Sequence, residues 1–357
     1  MYKSKGTWID FRGNVVVNND RFFGLRNADL RIISVFNLEI GCKEDFGFNS
    51  LDNILQISRS INSVLVVTGS WASPEYQYLD LDTLEIQGSL IDGFSRVWQF
   101  QEVLQDDRSI HICGLSDSEG NSLISVIDGD SLKPLFTYQK RRNLMRYLIA
   151  HEGKIISLNN DHEIWCQKFD DLEVQWGIDF QTAAPETDFK KFIGTHSSLL
   201  LIALTQNTII ALDIETGQLV DKWQDERMAP ELMALHTESG KLVGLCGYNY
   251  IEIDVMTKEL HCISMEEHFK REQVIAMNIG QSHLDGKNII FSSLGSDMNP
   301  FGKSKLAAFD IQSQQVVWQH EFPIPKRRPQ VQDGRIFVVD DNKVLHVFER
   351  EDRQEVA

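Results

Sequence analysis

Apolar and polar positions alternate along this chain in short runs, the period of a half-buried strand rather than of a helix. A recurring unit stands out: an alternating apolar strand ends in Asp, a short polar turn follows, and a second strand begins. The clear copies are YQYLDLDTLEIQ from Tyr76, SLISVIDGDSLKPL from Ser122, TIIALDIETGQLV from Thr208, YIEIDVMTKELH from Tyr250 and KLAAFDIQSQQVVW from Lys305. Weaker copies begin at Arg31, Glu163 and Lys343. The acids Asp80, Asp128, Asp213, Asp254 and Asp310 are separated by 48, 85, 41 and 56 residues, and the weak copy near Lys168 divides the long interval. A period of about 45 residues belongs to four-stranded propeller blades.

Each Asp has a local task. Its carboxylate accepts backbone N–H groups of the following turn, and Thr83, Thr216, Thr257 or Ser313, three residues on, closes the turn from the other side. Ahead of each copy lies another short strand, as in GKIISL from Gly153, GKLVGLC from Gly240, GKNIIFS from Gly286 and DGRIFVV from Asp333. Further upstream is a third, as in NILQIS from Asn53, ELMALH from Glu231 and VIAMNI from Val274. With the strand after the Asp turn, these make a four-stranded antiparallel sheet. The one helix candidate, Met265 to Gln273, is barely two turns long and reads as a loop between repeats. The expected fold is all-β, a single β-propeller domain over residues 1–357, with eight blades favoured. Seven is the alternative, if the first and last copies share a blade. The strand TWIDF at Thr7 is expected to join the sheet of the last copy.

The stretches ALDIETGQLVDKW from Ala211 and AAFDIQSQQVVWQHEF from Ala307 resemble repeats of the quinoprotein-like, or pyrroloquinoline-quinone-type, β-propellers. In that family a Trp following the turn docks between neighbouring blades. Trp223 and Trp318 match that position, and Trp176 does so loosely. The resemblance implies the fold and not the chemistry. Quinone-dependent members resemble much longer exported enzymes with a calcium site and often an adjacent cysteine pair, features that this sequence does not show, so no cofactor is expected.

Charge and cysteine content narrow the function. The 357 residues carry 52 acids against 35 Lys plus Arg, a net charge of -17 that repels phosphate backbones and anionic lipid, so neither nucleic acid nor membrane is an expected partner. The first ten residues lack the apolar stretch of a secretory signal. Five widely spaced cysteines, Cys42, Cys113, Cys166, Cys246 and Cys262, sit in strand-like runs without a CxxC pair and read as free thiols in a reducing compartment. A cytoplasmic chain, monomeric on its own, is expected.

Catalytic motifs give no positive signal. Gly129-Asp130-Ser131-Leu132 spells the GDSL string of certain esterases but occupies the Asp turn of a repeat. The oxygen- and imidazole-rich run Asn159-Asn160-Asp161-His162-Glu163 reads as turn chemistry rather than a metal site. No P-loop, HExxH or GxSxG pattern occurs.

Loop length is more informative. In a propeller the connections from second to third strand, and from one blade to the next, emerge on the same side. The longest insertions fall in those two classes: Gly69 to Gln77, Leu115 to Asn121 and Leu294 to Ser304 within blades, and Lys43 to Ser50, Gln181 to Asp188, Gln224 to Pro230 and Met265 to Gln273 between them. They bring acids, namely Glu44 and Asp45, Glu75, Asp117 and Glu119, Glu186 and Asp188, Asp225 and Glu226, Glu266 and Glu267, and Asp297. They also bring the aromatics Phe46, Phe48, Trp71, Tyr76, Phe269 and Phe301, expected to be exposed and to anchor an interface. The expected function is a non-enzymatic protein-binding propeller that grips a basic partner, in its sharpest form a cytosolic inhibitor or immunity protein facing a toxin domain. The alternatives are a carbohydrate-active hydrolase or lyase with its site at the central channel mouth, and a structural scaffold subunit.

Overall fold

A computed structural model describes residues 1–8, 11–18, 21–26, 29–34, 39–43, 54–58, 63–70, 73–80, 83, 85–89, 94–105, 108–117, 119, 122–129, 131, 133–140, 148–159, 161–276, 283–293, 304–322, 329–332 and 334–351. These residues are nearly all β. Seven sheets each take four consecutive strands in chain order, as in Phe189–His196, Leu199–Leu204, Thr208–Asp213 and Leu219–Gln224, every neighbour antiparallel. One further sheet is composite. There the strand Tyr2–Trp8 pairs with Leu345–Arg350, which continues to Arg335–Val339 and Gln330–Gln332. The Thr7 strand thus joins the last copy as expected, although it begins five residues earlier, at Tyr2. Antiparallel four-stranded sheets in this series match a β-propeller.

The chain forms two compact units, one of Met1–Phe11, Phe189–Asp213 and Gln218–Ala357, the other of Arg12–Asp188 with Ile214–Gly217. Within the first unit, the opening strands Phe189–His196, Ala234–His236, His283–Asp285 and Gln330–Gln332 lie beside one another in turn. Sheets consequently pack face to face, and the middle strands are buried on both sides. Ile289, Phe291, Ala307 and Phe309 face back against Val243, Leu245 and Tyr250, whereas Ile290, Leu306 and Ala308 face forward against Ile336, Val338 and Phe348. Double burial accounts for near-continuous apolar runs such as Leu199–Leu204, where a one-sided sheet would show strict alternation. In the second unit Ile110, Ile112, Ile124 and Val126 pack in the same way against Ile155 and Phe169.

The Asp turns form as the sequence implies. The N–H of Thr83, Ser131, Thr257 and Ser313 reaches the carboxylate of Asp80, Asp128, Asp254 and Asp310 at 2.7, 2.8, 2.8 and 2.9 Å. The N–H of Asp80, Asp128, Asp213 and Asp254 in turn donates to the carbonyl five residues on, each at 2.9 or 3.0 Å. Ser131 of the GDSL string donates its hydroxyl to Asp128 as well, at 2.8 Å, and so belongs to the turn. Asn159 likewise bonds Glu163 through its own N–H and its side chain, at 2.7 and 2.8 Å.

Three expectations change. ELMALH is a strand only over Ala234–His236, because Pro230–Leu232 closes a 3-10 turn before it. Of VIAMNI, Val274 is core and Ala276 bridges to Gly247, Met277, Asn278 and Ile279 lie outside the described residues, and the first described strand of the sheet is His283–Asp285. Residues 266–272, read as loop, are an α-helix, with acids in its first turn and Lys270 and Arg271 in its last, the arrangement the helix dipole favours.

Candidate functional site

In the first unit, the connections at the long-insertion end are tied to one another by backbone groups. Asn207 and Gln224 side chains donate to the carbonyls of Glu226 and Gln206, at 3.1 and 3.0 Å, which joins the 205–207 and 225–227 connections. Gly247 and Ala276 exchange two backbone bonds, and the Met265 N–H donates to Tyr248 at 2.7 Å, fixing the helix Glu266–Glu272 over the 247–248 turn. In the second unit, residues 180–188 bond internally. Asp179 caps Phe180–Thr182, Gln181 reaches the Thr187 carbonyl at 3.0 Å, and Thr187 donates to Ala184 at 2.6 Å. Loops whose polar groups are satisfied at home need no partner to pair them.

The candidate acids are placed differently from one another. Glu186, Glu226 and Glu267 are exposed and lie beyond ion-pair distance of any cation among the described residues. Asp188 and Glu119 are exposed too. Asp225 is taken up by Arg227, whose guanidinium grips it through two N–H groups at 2.9 and 2.6 Å, and these bonds hold its carboxyl below the usual carboxylate range. Glu266 is paired with Lys270 one helical turn on. The free acidic charge of these insertions is therefore smaller than the loop sequences imply, and the tight turns of the repeats carry exposed acids of their own, Glu152, Asp170, Asp171, Glu173, Glu215 and Glu259.

Phe269 requires a correction. It was expected as an exposed anchor, yet its ring is fully buried, 5.9 Å from each of the Phe291 and Phe309 rings. The helix turns residue 269 inward, while residues 266, 267 and 270 face water. A 3.6-residue period accounts for this split, and a loop reading of the same residues could not have found it. Glu75 lies within the strand Ser73–Asp80 and Asp117 ends Arg108–Asp117, so the insertions around them shrink as the strands extend through pairs such as Ser70 with Ser73. Glu44, Asp45, Phe46, Phe48, Trp71, Asp297 and Phe301 lie outside the described residues.

Two of the three matched tryptophans bond to backbone. The Trp223 indole donates to the Lys258 carbonyl in the next turn of its unit at 3.0 Å, and in the other unit Trp176 donates to Ile214 at 2.7 Å. Trp318 instead packs its ring on Tyr2 and Phe348. Among the described residues no group of His, Cys, Asp and Glu side chains is placed to hold a metal ion, and no helix is long and apolar enough to cross a membrane. Cys113, Cys166, Cys246 and Cys262 are free thiols; burial pushes Cys166 up to about 11 and raises Cys113 further, so neither is a ready nucleophile.

No protein-family model matches the sequence, and no curated protein matches it. Solved structures match in fold. BamB from Moraxella catarrhalis superposes with a TM-score of 0.63 at 12% identity, over 98% of this chain and 100% of that one. The computationally designed Ika8 protein gives 0.64 at 11%, over 97% and 98%, and Sqt1 of Saccharomyces cerevisiae 0.65 at 9%, over 98% of each chain. BamB and Sqt1 are β-propellers, and at these identities the likeness extends to fold alone.

Proposed function

We propose that this chain is a non-enzymatic, protein-binding β-propeller, eight-bladed and of the PQQ-like repeat type, that grips a basic partner in the cytosol. The observation that carries the reading lies in the first unit, where self-bonded connections present Glu226 and Glu267 to water while the neighbouring Arg227 and Lys270 are taken by Asp225 and Glu266. Preorganised loops lose little entropy on association, and unpaired carboxylates on them steer and orient a cationic surface. Within the first unit the insertions also differ from sheet to sheet while the Asp turns repeat, as expected of a scaffold bearing a recognition surface. In its sharpest form the partner is a basic toxin domain such as a nuclease, and the chain is its inhibitor; the strong divergence among the repeats supports that version.

The test is a pull-down of the tagged full chain from its native cytosol at low and high salt, beside the triple variant Glu186→Lys, Glu226→Lys, Glu267→Lys. One basic, stoichiometric partner is expected, weakened by salt and by roughly tenfold or more in the variant. A partner held equally well by the variant removes the acidic-surface reading, and no partner at either salt removes the binding reading altogether.

A further inference from the structure

His268 faces donors on both ring nitrogens. The N–H of Val316, on the outermost strand of its sheet, donates to Nε2 at 2.9 Å, and the Arg271 guanidinium stands 2.7 Å from Nδ1. His346 is the contrast, since its Nε2 lies 2.9 Å from the Asp340 carboxylate, which welcomes a ring proton. A backbone N–H can donate only to an unprotonated nitrogen, so His268 holds Val316 as a neutral ring with its one hydrogen on Nδ1, and the exposed Arg271 must turn its own N–H from that hydrogen. The ring is half-buried on the helix Glu266–Glu272, which packs against the strand Gln315–Phe322. Phe269, the next residue, fixes the helix to the core, and His268 fastens it to the edge of the strand, where Val316 would otherwise leave an N–H open. Burial and then Arg271 disfavour a charge on the ring, and Glu272 of the same helix opposes them in part. On the strand, the titratable His320 and Glu321 stand four and five residues beyond Val316, and Asp310, at the head of the turn leading into it, is taken by Lys287. Lys305 meets the helix at its far end, at the Glu272 carbonyl, and Lys270 lies 6.0 Å over the Tyr248 ring.

We propose that His268 is a pH-sensitive latch: its neutral ring fastens the helix Glu266–Glu272 to the edge of the strand Gln315–Phe322, and protonation in mild acid unfastens it. Protonation puts a hydrogen on Nε2, so two donors confront each other at the Val316 bond, and it sets a second cation beside the Arg271 guanidinium. The Phe269 ring stays in the core, so the event is a local loosening of the helix and of the strand edge rather than unfolding. The fastened ring binds its proton less readily than a free one. The hold is therefore complete above the ordinary histidine value, near 6.5, and is lost as pH falls through the lower value of the fastened ring. The latch belongs to the chain alone and does not rest on the binding reading.

The experiment follows amide hydrogen exchange of the intact protein from pH 8 to pH 5 in peptides spanning 266–276 and 315–322, with rates corrected for the pH dependence of chemical exchange. A ring-proton NMR titration of the histidines runs beside it. Both segments are expected to be protected at pH 8 and to exchange several times faster at pH 5, the rise setting in below 6.5, with the His268 ring itself titrating below that value. His268→Gln, whose side chain does not titrate and whose amide oxygen can accept from Val316, is expected to abolish the pH dependence in both segments. Arg271→Gln removes the adjacent cation and is expected to move the titration of the ring upward. The same acid loosening in His268→Gln overturns the proposal, as does a His268 ring that titrates at or above 6.5.

Discussion

The turn at Lys168–Glu173 and the turn at Asp254–Glu259 have nearly the same backbone and different side chains. In both, the first residue donates to the carbonyl five places on, at 2.9 and 3.0 Å, and accepts from the N–H four places on, at 3.1 and 2.8 Å. In both, the fifth residue is left-handed, Leu172 at φ 60° and Lys258 at φ 68°, as is Gly217 at 71° in the turn that follows Asp213. Only the second turn has an acid at its head, gathering the N–H groups of Met256 and Thr257 at 3.0 and 2.8 Å. The first carries Lys168, paired with Glu173 across the surface. The acid is thus a reinforcement, and the turn itself is set by the pairing of the two strands and by the residue that accepts a left-handed conformation.

The comparison breaks first at Gly217. A Cβ there would lie 2.7 and 2.8 Å from atoms of the Trp176 ring, and φ is +71°. Gly217→Ala is expected to destabilise by about 1–3 kcal/mol, read as a lower urea midpoint, because the ring is held in place by its bond to Ile214. A loss no larger than that of a surface substitution would mean that the ring moves aside.

Asp254→Ala removes two turn bonds and is expected to cost about 1 kcal/mol. The N–H groups of Thr257 and Met256 hold this carboxyl below its ordinary range, although burial opposes them. The unfolded chain therefore binds the proton more readily than the folded one. The stabilisation is complete above the ordinary Asp value, near 3.9, and fades as pH falls through the lower folded value. The variant should accordingly have a shallower acid limb in a stability–pH profile, and an unchanged limb would deny the carboxylate its role. The smallest effect is expected from Lys168→Asp, which installs the missing acid: a slight rise in midpoint at neutral pH that vanishes in acid.

Much of this was legible along the chain. Alternation, Gly-Lys turns and the Asp spacing located most of the strands, because strand and turn preferences act over a few residues. The candidate surface was less legible. Asp225 and Arg227 stand two apart, so their pairing was open to local reading, and Glu266 and Lys270 show the four-residue spacing of a helical ion pair. Phe269 was misplaced because seven residues are too few for periodicity to declare a helix against a loop.

By itself, the sequence determined an all-β repeat of four-stranded antiparallel sheets with one turn used again and again, since these rest on bonds between near neighbours. Tertiary structure alone decided which side chains meet across long separations. It pairs the N-terminal strand with Leu345–Arg350 and brings the Tyr2 hydroxyl to the buried Asp285. It encloses Arg335 beside Glu349 and sets Lys191 against the Met233 carbonyl. Burial and charge at such points depend on how whole sheets pack, and no local pattern encodes the environment that packing creates.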